Sequence, residues 1–156
     1  MNDTTLADGL EIRPATEADL PAIVAMLADD PLGATRESPE DLAPYRTALK
    51  RITEDPHQRL VVAVRAGRVV GTLQLTLVPG LSRKGATRSI VEGVRIHADE
   101  RGSGLGTVFM EWAIATSRAE GCQLVQLTSD VTRTDAHRFY ERLGFVASHV
   151  GFKLAL

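Results

Sequence analysis

The chain has 156 residues, 44% hydrophobic and 24% charged, with a formal net charge of −2. That length supports one domain with its own core, and so balanced a charge offers no electrostatic footprint for nucleic acid or an anionic membrane. One cysteine, Cys122, excludes an intrachain disulfide and a cysteine-based zinc cluster; with no bilayer-length apolar run and no secretory leader, the expected location is the cytoplasm.

Residues 1–8 are polar and expected to be frayed, with a single domain over 9–156. Leu10 and Ile12 alternate with Glu11 and Arg13 as a short strand that Pro14 ends. Thr16 and Asp19 form a capping-box pattern, and Leu20, Ile23, Val24 and Leu27 follow at helical spacing to about Asp29. Ser38-Pro39-Glu40-Asp41 predicts the start of a second helix, with Leu42, Tyr45, Leu49 and Ile52 as its apolar stripe and Asp55-Pro56 as its stop. Residues 60–64 and 69–78 read as strands joined by a hairpin at Ala66-Gly67-Arg68. A polar loop, 79–86, carries Arg83 and Lys84.

Residues 90–96, Ile-Val-Glu-Gly-Val-Arg-Ile, predict a further strand, with Gly93 marking a bulge. Arg101-Gly102-Ser103-Gly104-Leu105-Gly106 then forms a glycine-rich turn into a helix that begins about Thr107 and that Gly121 ends. Backbone N–H groups at such a helix start suit an anionic phosphate. The turn lacks the Lys-Ser/Thr of a P-loop and the glycine spacing of a dinucleotide fold, so a plain tight turn or a nucleotide-binding module stays open on these residues alone. Leu124–Thr128 is a strand, Asp135–Leu143 a short helix stopped by Gly144, and Phe145 to Leu154 a closing strand. The predicted order is β-α-α-β-β-β-α-β-α-β: an α/β fold with a mixed, mainly antiparallel central sheet flanked by helices.

The segment Arg101-x-x-Gly104-x-Gly106, followed by Phe139-Tyr140-Glu141-Arg142-Leu143-Gly144-Phe145, resembles the GNAT superfamily of acyl-CoA-dependent N-acetyltransferases. The resemblance spans nearly the whole element order. It implies acetyl-CoA as cosubstrate, its pyrophosphate on Arg101, Gly102, Ser103, Gly104, Leu105, Gly106 and Thr107, and its pantetheine arm against the backbone of Val94, Arg95 and Ile96 in the manner of an added strand. It implies further that a bulge N–H at Gly93 stabilises the oxyanion of the tetrahedral intermediate. Glu92 is the candidate base for the amine and Tyr140 the candidate acid for the departing thiolate. Arg133 stands where many members carry a cofactor-binding asparagine.

Simpler structural roles exist for these residues: a surface Arg101, a Glu92 paired with Arg88 or Arg95, and a Tyr140 that anchors the last helix. His57, His97, His137 and His149 show no metal-ligand spacing, so no metal is expected, and Cys122 reads as a buried thiol. The expected partner is an amine acceptor, first a small molecule; the resemblance implies that residues 29–37 and 79–86 recognise it, and the acids of 29–37 suit a cationic amine or equally read as solvated loop charges. A peptide or protein amine, and a non-catalytic acyl-CoA sensor, are the alternatives. The apolar Leu154-Ala155-Leu156 is compatible with a homodimer interface.

Overall fold

The computed structural model describes residues 4–5 and 8–156. The expected fraying of residues 1–8 lies partly outside the described residues. Within them, Thr4–Thr5 is instead a short strand, β1, paired with the next one through Thr4↔Ile12 and Thr5↔Glu11. The chain forms two compact units, Met1–Gln126 and Leu127–Leu156.

The first unit carries β2 (Leu10–Pro14), α1 (Leu20–Ala28), α2 (Ala43–Glu54), β3 (Gln58–Arg65), β4 (Arg68–Pro79), a single turn α3 (Ser82–Gly85), β5 (Thr87–Ile96) and α4 (Leu105–Ala119). A last strand, β6 (Leu124–Leu127), begins at its end. The sheet runs in chain order, β1 to β6, and the pairs from β1 through β5 are antiparallel. A two-residue turn at Ala66-Gly67, both at positive φ (50° and 74°), joins β3 to β4 and matches the twist of its strands.

Alternation along the strands divides the sheet into two faces. Val62 and Val64 of β3 meet Ile23 of α1, with Leu27 packed alongside. The cross-strand register carries this face through Thr72, Gln74 and Thr76 of β4 to Arg95, Glu92 and Ile90 of β5. Val61, Ala63, Leu73, Leu75 and Val91 point the other way and are buried. There α4 covers them: Ser117 and Ser89, both buried, share a 2.7 Å hydroxyl hydrogen bond. A Cβ on Gly71 would lie 3.3 Å from the Phe109 ring, so that glycine sets how closely helix and strand approach.

The predicted capping box forms, with Asp19 accepting from the Thr16 amide at 2.8 Å and its hydroxyl at 3.0 Å. It opens a short 3-10 turn, Glu17–Asp19, before α1. The second helix starts later than Ser38-Pro39 suggests. Asp41 accepts the Ala43 amide at 3.0 Å and Pro44 occupies the first turn, so the second proline of the segment, not the first, opens the helix. Between the two helices Asp30 gathers the amides of Leu32 (2.9 Å) and Gly33 (2.7 Å) on one carboxylate oxygen.

The second unit carries α5 (Thr134–Arg142) and the residues after it. The closing strand expected over Phe145–Leu154 does not form; residues 145–156 have no regular secondary structure. Val146, Val150, Phe152, Leu154 and Leu156 keep the alternation of a strand, but alternation records a preference for pleating and does not supply a partner ladder. Among the described residues no helix is long and apolar enough to cross a membrane.

Gly33 is required by space. A Cβ there would sit 1.9 Å from the Leu27 carbonyl oxygen, so Gly33→Ala is expected to destabilise the chain by roughly 1–3 kcal/mol in denaturant unfolding. Asp19 sets an acid limit. The Arg13 guanidinium (2.8 and 2.9 Å), helped by Thr16 and opposed by burial, holds its carboxyl below the usual range. A depressed carboxyl stabilises the fold above its unfolded value of about 3.9 and loses that contribution as pH falls. Unfolding midpoints should therefore decline below about pH 4 more steeply in the parent than in Asp19→Asn.

Candidate active site

β5 departs from a regular strand in its second half. Gln74 pairs with Glu92, but Thr72 pairs with Arg95, so β5 holds one more residue than β4 across this step. Gly93 takes φ +60°, a left-handed value that glycine adopts without a Cβ penalty. The predicted bulge is therefore present at Gly93. Glu92 and Gly93 are exposed, and Val94, Arg95 and Ile96 are half-buried. Among the described residues Glu92 has no ion-pair partner, and Arg95, one of the two expected for it, is engaged by Asp30 instead.

β6 neighbours β5 in the sheet, and the Gln123 amide just before it donates to the Thr87 carbonyl at 2.9 Å, near the start of β5. Past the bulge, β5 pairs with β4 through Thr72↔Arg95 and Gly71↔Ile96.

The glycine turn leads on from β5. Gly102 and Gly104 take φ +79° and +86°, and Gly104 is the N-cap of α4. The Ser103 hydroxyl donates to the Glu100 carbonyl at 2.6 Å and receives the Leu105 amide at 3.4 Å. The Val108 amide bonds the Gly104 carbonyl at 3.2 Å. The first amides of a helix lack intrahelical acceptors, so those of Gly106 and Thr107 are the donors an anion at this end would meet. No acidic side chain occupies the first turn of α4, which preserves the positive end of its dipole. Arg101 is exposed and bonded to the Asp29 carboxylate at 2.9 Å.

The acidic partners of this region were not legible in the sequence. The acids of residues 29–37 suited either a cationic amine or solvated loop charges, and each is instead engaged within the chain. Asp29 holds Arg101, Asp30 meets Arg95 at 3.2 Å, and Glu37 accepts the Tyr45 hydroxyl at 2.6 Å. The Asp29-Asp30 doublet directly after a helix was the available signal, but nothing in its spacing points to arginines so distant in the chain. In the 79–86 loop, Arg83 and Lys84 both adopt left-handed φ (55° and 61°).

Glu92, Val94–Ile96 and residues 101–107 belong to the first unit, whereas Arg133 and Tyr140 belong to the second. Arg133 is the exposed N-cap residue of α5. Tyr140 lies on α5 with its ring edge-on to Phe139 (centroids 5.2 Å apart) and Phe145 (6.0 Å), and its carbonyl accepts the Phe145 amide at 3.1 Å. The aromatic motif thus folds back on itself where the helix ends. Burial, with Glu120 second, raises the Cys122 thiol above its ordinary range, which disfavours the thiolate. Among the described residues no three His, Cys, Asp or Glu side chains gather as a metal site.

The model of the acetyltransferase (GNAT) family matches residues 21–145. An aminoalkylphosphonate N-acetyltransferase of Salmonella typhimurium is 30% identical over 146 residues, covering 94% of this chain and 91% of its own. An L-methionine sulfoximine/L-methionine sulfone acetyltransferase of Pseudomonas aeruginosa is 28% identical over 141 residues, covering 88% and 80%. Among solved structures, a Bacillus halodurans C-125 protein described as a transcriptional regulator superposes with a TM-score of 0.91 at 46% identity, over 94% of this chain and 99% of that one.

The turn yields a direct test. Valine at position 104 is strained at φ +86° and carries its methyls into the mouth of the helix. Gly104→Val should abolish CoA binding in calorimetry while leaving the far-ultraviolet circular dichroism unchanged. A folded variant with parental affinity would place the phosphates elsewhere.

Proposed function

The chain belongs to the GNAT family of acetyltransferases and is an acetyl-CoA-dependent N-acetyltransferase; from that premise we propose that its acceptor is the primary amine of a small molecule and that residues 92–107 hold the reacting ends together. The observation that carries this reading is the continuity of the Gly93 bulge, the strand residues 94–96 and the glycine turn on one strand and its following helix. A phosphate-bearing thioester laid along that path has its pyrophosphate at Gly102–Thr107 and its pantetheine amides against Val94–Ile96. Its carbonyl then lies at the bulge, beside Glu92.

An alkyl ammonium with a pKa of about 10.4 must lose a proton before it can attack. Glu92, exposed and without an ion-pair partner among the described residues, takes that proton directly or through water. The amine nitrogen then bonds to the thioester carbon, and the carbonyl oxygen carries the negative charge of the tetrahedral intermediate. The Gly93 amide at the bulge is the donor proposed for that oxygen. Collapse breaks the carbon–sulfur bond as the attacking nitrogen gives its remaining extra proton to water. The CoA thiolate takes a proton from Tyr140, which solvent then reprotonates, a role supported by its place in the aromatic-Tyr motif. Arg101 and Arg133 are proposed to contact cofactor phosphate.

Support for a small acceptor comes from the two relatives, which act on an aminoalkylphosphonate and on L-methionine sulfoximine or sulfone, as their names state. A peptide or protein amine is the competing acceptor, and an acyl-CoA sensor the competing class.

Thiol release from acetyl-CoA across a panel of amines distinguishes these readings. Turnover on small primary amines is expected; tight CoA binding with no turnover on any amine would identify a sensor. Tyr140→Phe should lower kcat by on the order of 10²-fold with acetyl-CoA affinity nearly intact. Glu92→Gln should be similarly slow at neutral pH, then regain rate as pH rises toward the amine's own pKa and free amine becomes abundant.

A further inference from the structure

The path of the cofactor constrains where the acceptor lies. On the reading above, acetyl-CoA reaches Glu92 from the Arg101 end of β5 and lies along the strand from Ile96 back to Gly93. The acceptor must then approach from the opposite side. The neighbours of Glu92 there, on the same sheet face, are its cross-strand partner Gln74 and, one strand further, Leu60 in register with Gln74 and Gln58 diagonal to it.

Gln74 and Gln58 line a shallow cleft of about 330 Å³, whose other walls are Ala48, Arg51, Ile52 and Asp55 at the end of α2. Two donor groups in it stand ready for an anion. Arg51 has no carboxylate partner among the described residues, a state it shares with Arg36, Arg83, Arg88, Arg118, Arg133 and Arg142; it differs from them in lining this cleft beside Gln58 and Gln74. Gln58 uses its amide oxygen to accept from both the Gln74 amide (2.9 Å) and the Thr76 hydroxyl (2.9 Å). That orientation turns its NH2 group, with two N–H donors, away from the pair. The cleft also holds an acid: one oxygen of Asp55 accepts the His57 amide at 2.8 Å and faces the His57 ring at 3.3 Å, so an oxyanion must sit on the Arg51–Gln58 side, away from that carboxylate.

We propose that this cleft is the acceptor's anion subsite, and that the acceptor carries, besides its amine, an oxyanion such as a phosphonate, phosphate or carboxylate held by Arg51 and Gln58. The inference rests on Glu92 being the amine's base. Arginine and a primary amide together match an oxyanion because each offers paired N–H donors to adjacent oxygens. The amine of such a molecule points to Glu92 across Gln74.

The test compares kcat/KM for 3-aminopropylphosphonate with that for propylamine, both followed by thiol release from acetyl-CoA. The parent chain should favour the phosphonate by about 10- to 100-fold, the range of a charge-assisted hydrogen-bonded pair. Arg51→Gln should bring the ratio close to one, and Arg51→Lys should restore part of it. Arg51→Glu should invert the preference, so that 1,3-diaminopropane outruns the phosphonate. In the parent, propylphosphonate should compete with the amine and not with acetyl-CoA, a result that needs no variant to fold. Equal kcat/KM on phosphonate and propylamine, or a preference that survives Arg51→Gln, overturns the anion subsite alone. No release from either amine, with acetyl-CoA bound, overturns both the subsite and the acceptor side of the proposed function.

Discussion

One extra residue in β5 decides which way this site faces. Glu92 and Arg95 are three apart, and in a regular strand an odd separation sends side chains to opposite faces. Their partners on β4, Gln74 and Thr72, are two apart and share a face. The bulge at Gly93 reconciles the two strands, so Glu92 and Arg95 both project toward the side covered by α1 and α2. A regular β5 would keep only one of them there. A glycine with left-handed φ thus orients a carboxylate and an arginine together.

The two ion pairs from the end of α1 act on this arrangement with different strength. Asp30 and Arg95 are about four-fifths buried, and Asp30 also fastens the turn after α1 through the Leu32 and Gly33 amides. Arg95 in turn donates to the Val94 carbonyl at 2.9 Å, so one buried pair ties that turn to the strand beyond the bulge. Asp29 and Arg101 are more than half exposed, and a pair so placed contributes about 0–1 kcal/mol. A pyrophosphate offers Arg101 more charge and more acceptor oxygens than Asp29 does, so the arginine can change partners at little cost. The buried pair joins the turn after α1 to β5, and the exposed one leaves Arg101 able to exchange partners, as its proposed phosphate contact requires.

Much of this was legible in the sequence because it depends on local chemistry. The hairpin at Ala66-Gly67, the Thr16–Asp19 cap, the Gly93 bulge and the turn from Arg101 to Gly106 each need particular residue types at short spacing. The missed features depend on partners far along the chain. Pro39 and Pro44 are equally good helix openers, and only the Asp41 cap on Ala43 selects the second. The Asp29–Arg101 and Asp30–Arg95 pairs require the fold to bring their ends together. The strand expected after Gly144 shows the same limit, since its alternation carries no record of a neighbour to pair with.

Amide chemical shifts of the uniformly labelled chain, recorded with and without CoA, report whether the cofactor follows β5 from the bulge into the N-terminus of α4. The large shifts are expected at Gly93–Ile96 and Arg101–Thr107. Shifts centred instead on the surface cleft lined by Glu17, Arg46, Thr47 and Lys50, with residues 93–107 unmoved, would rule that path out.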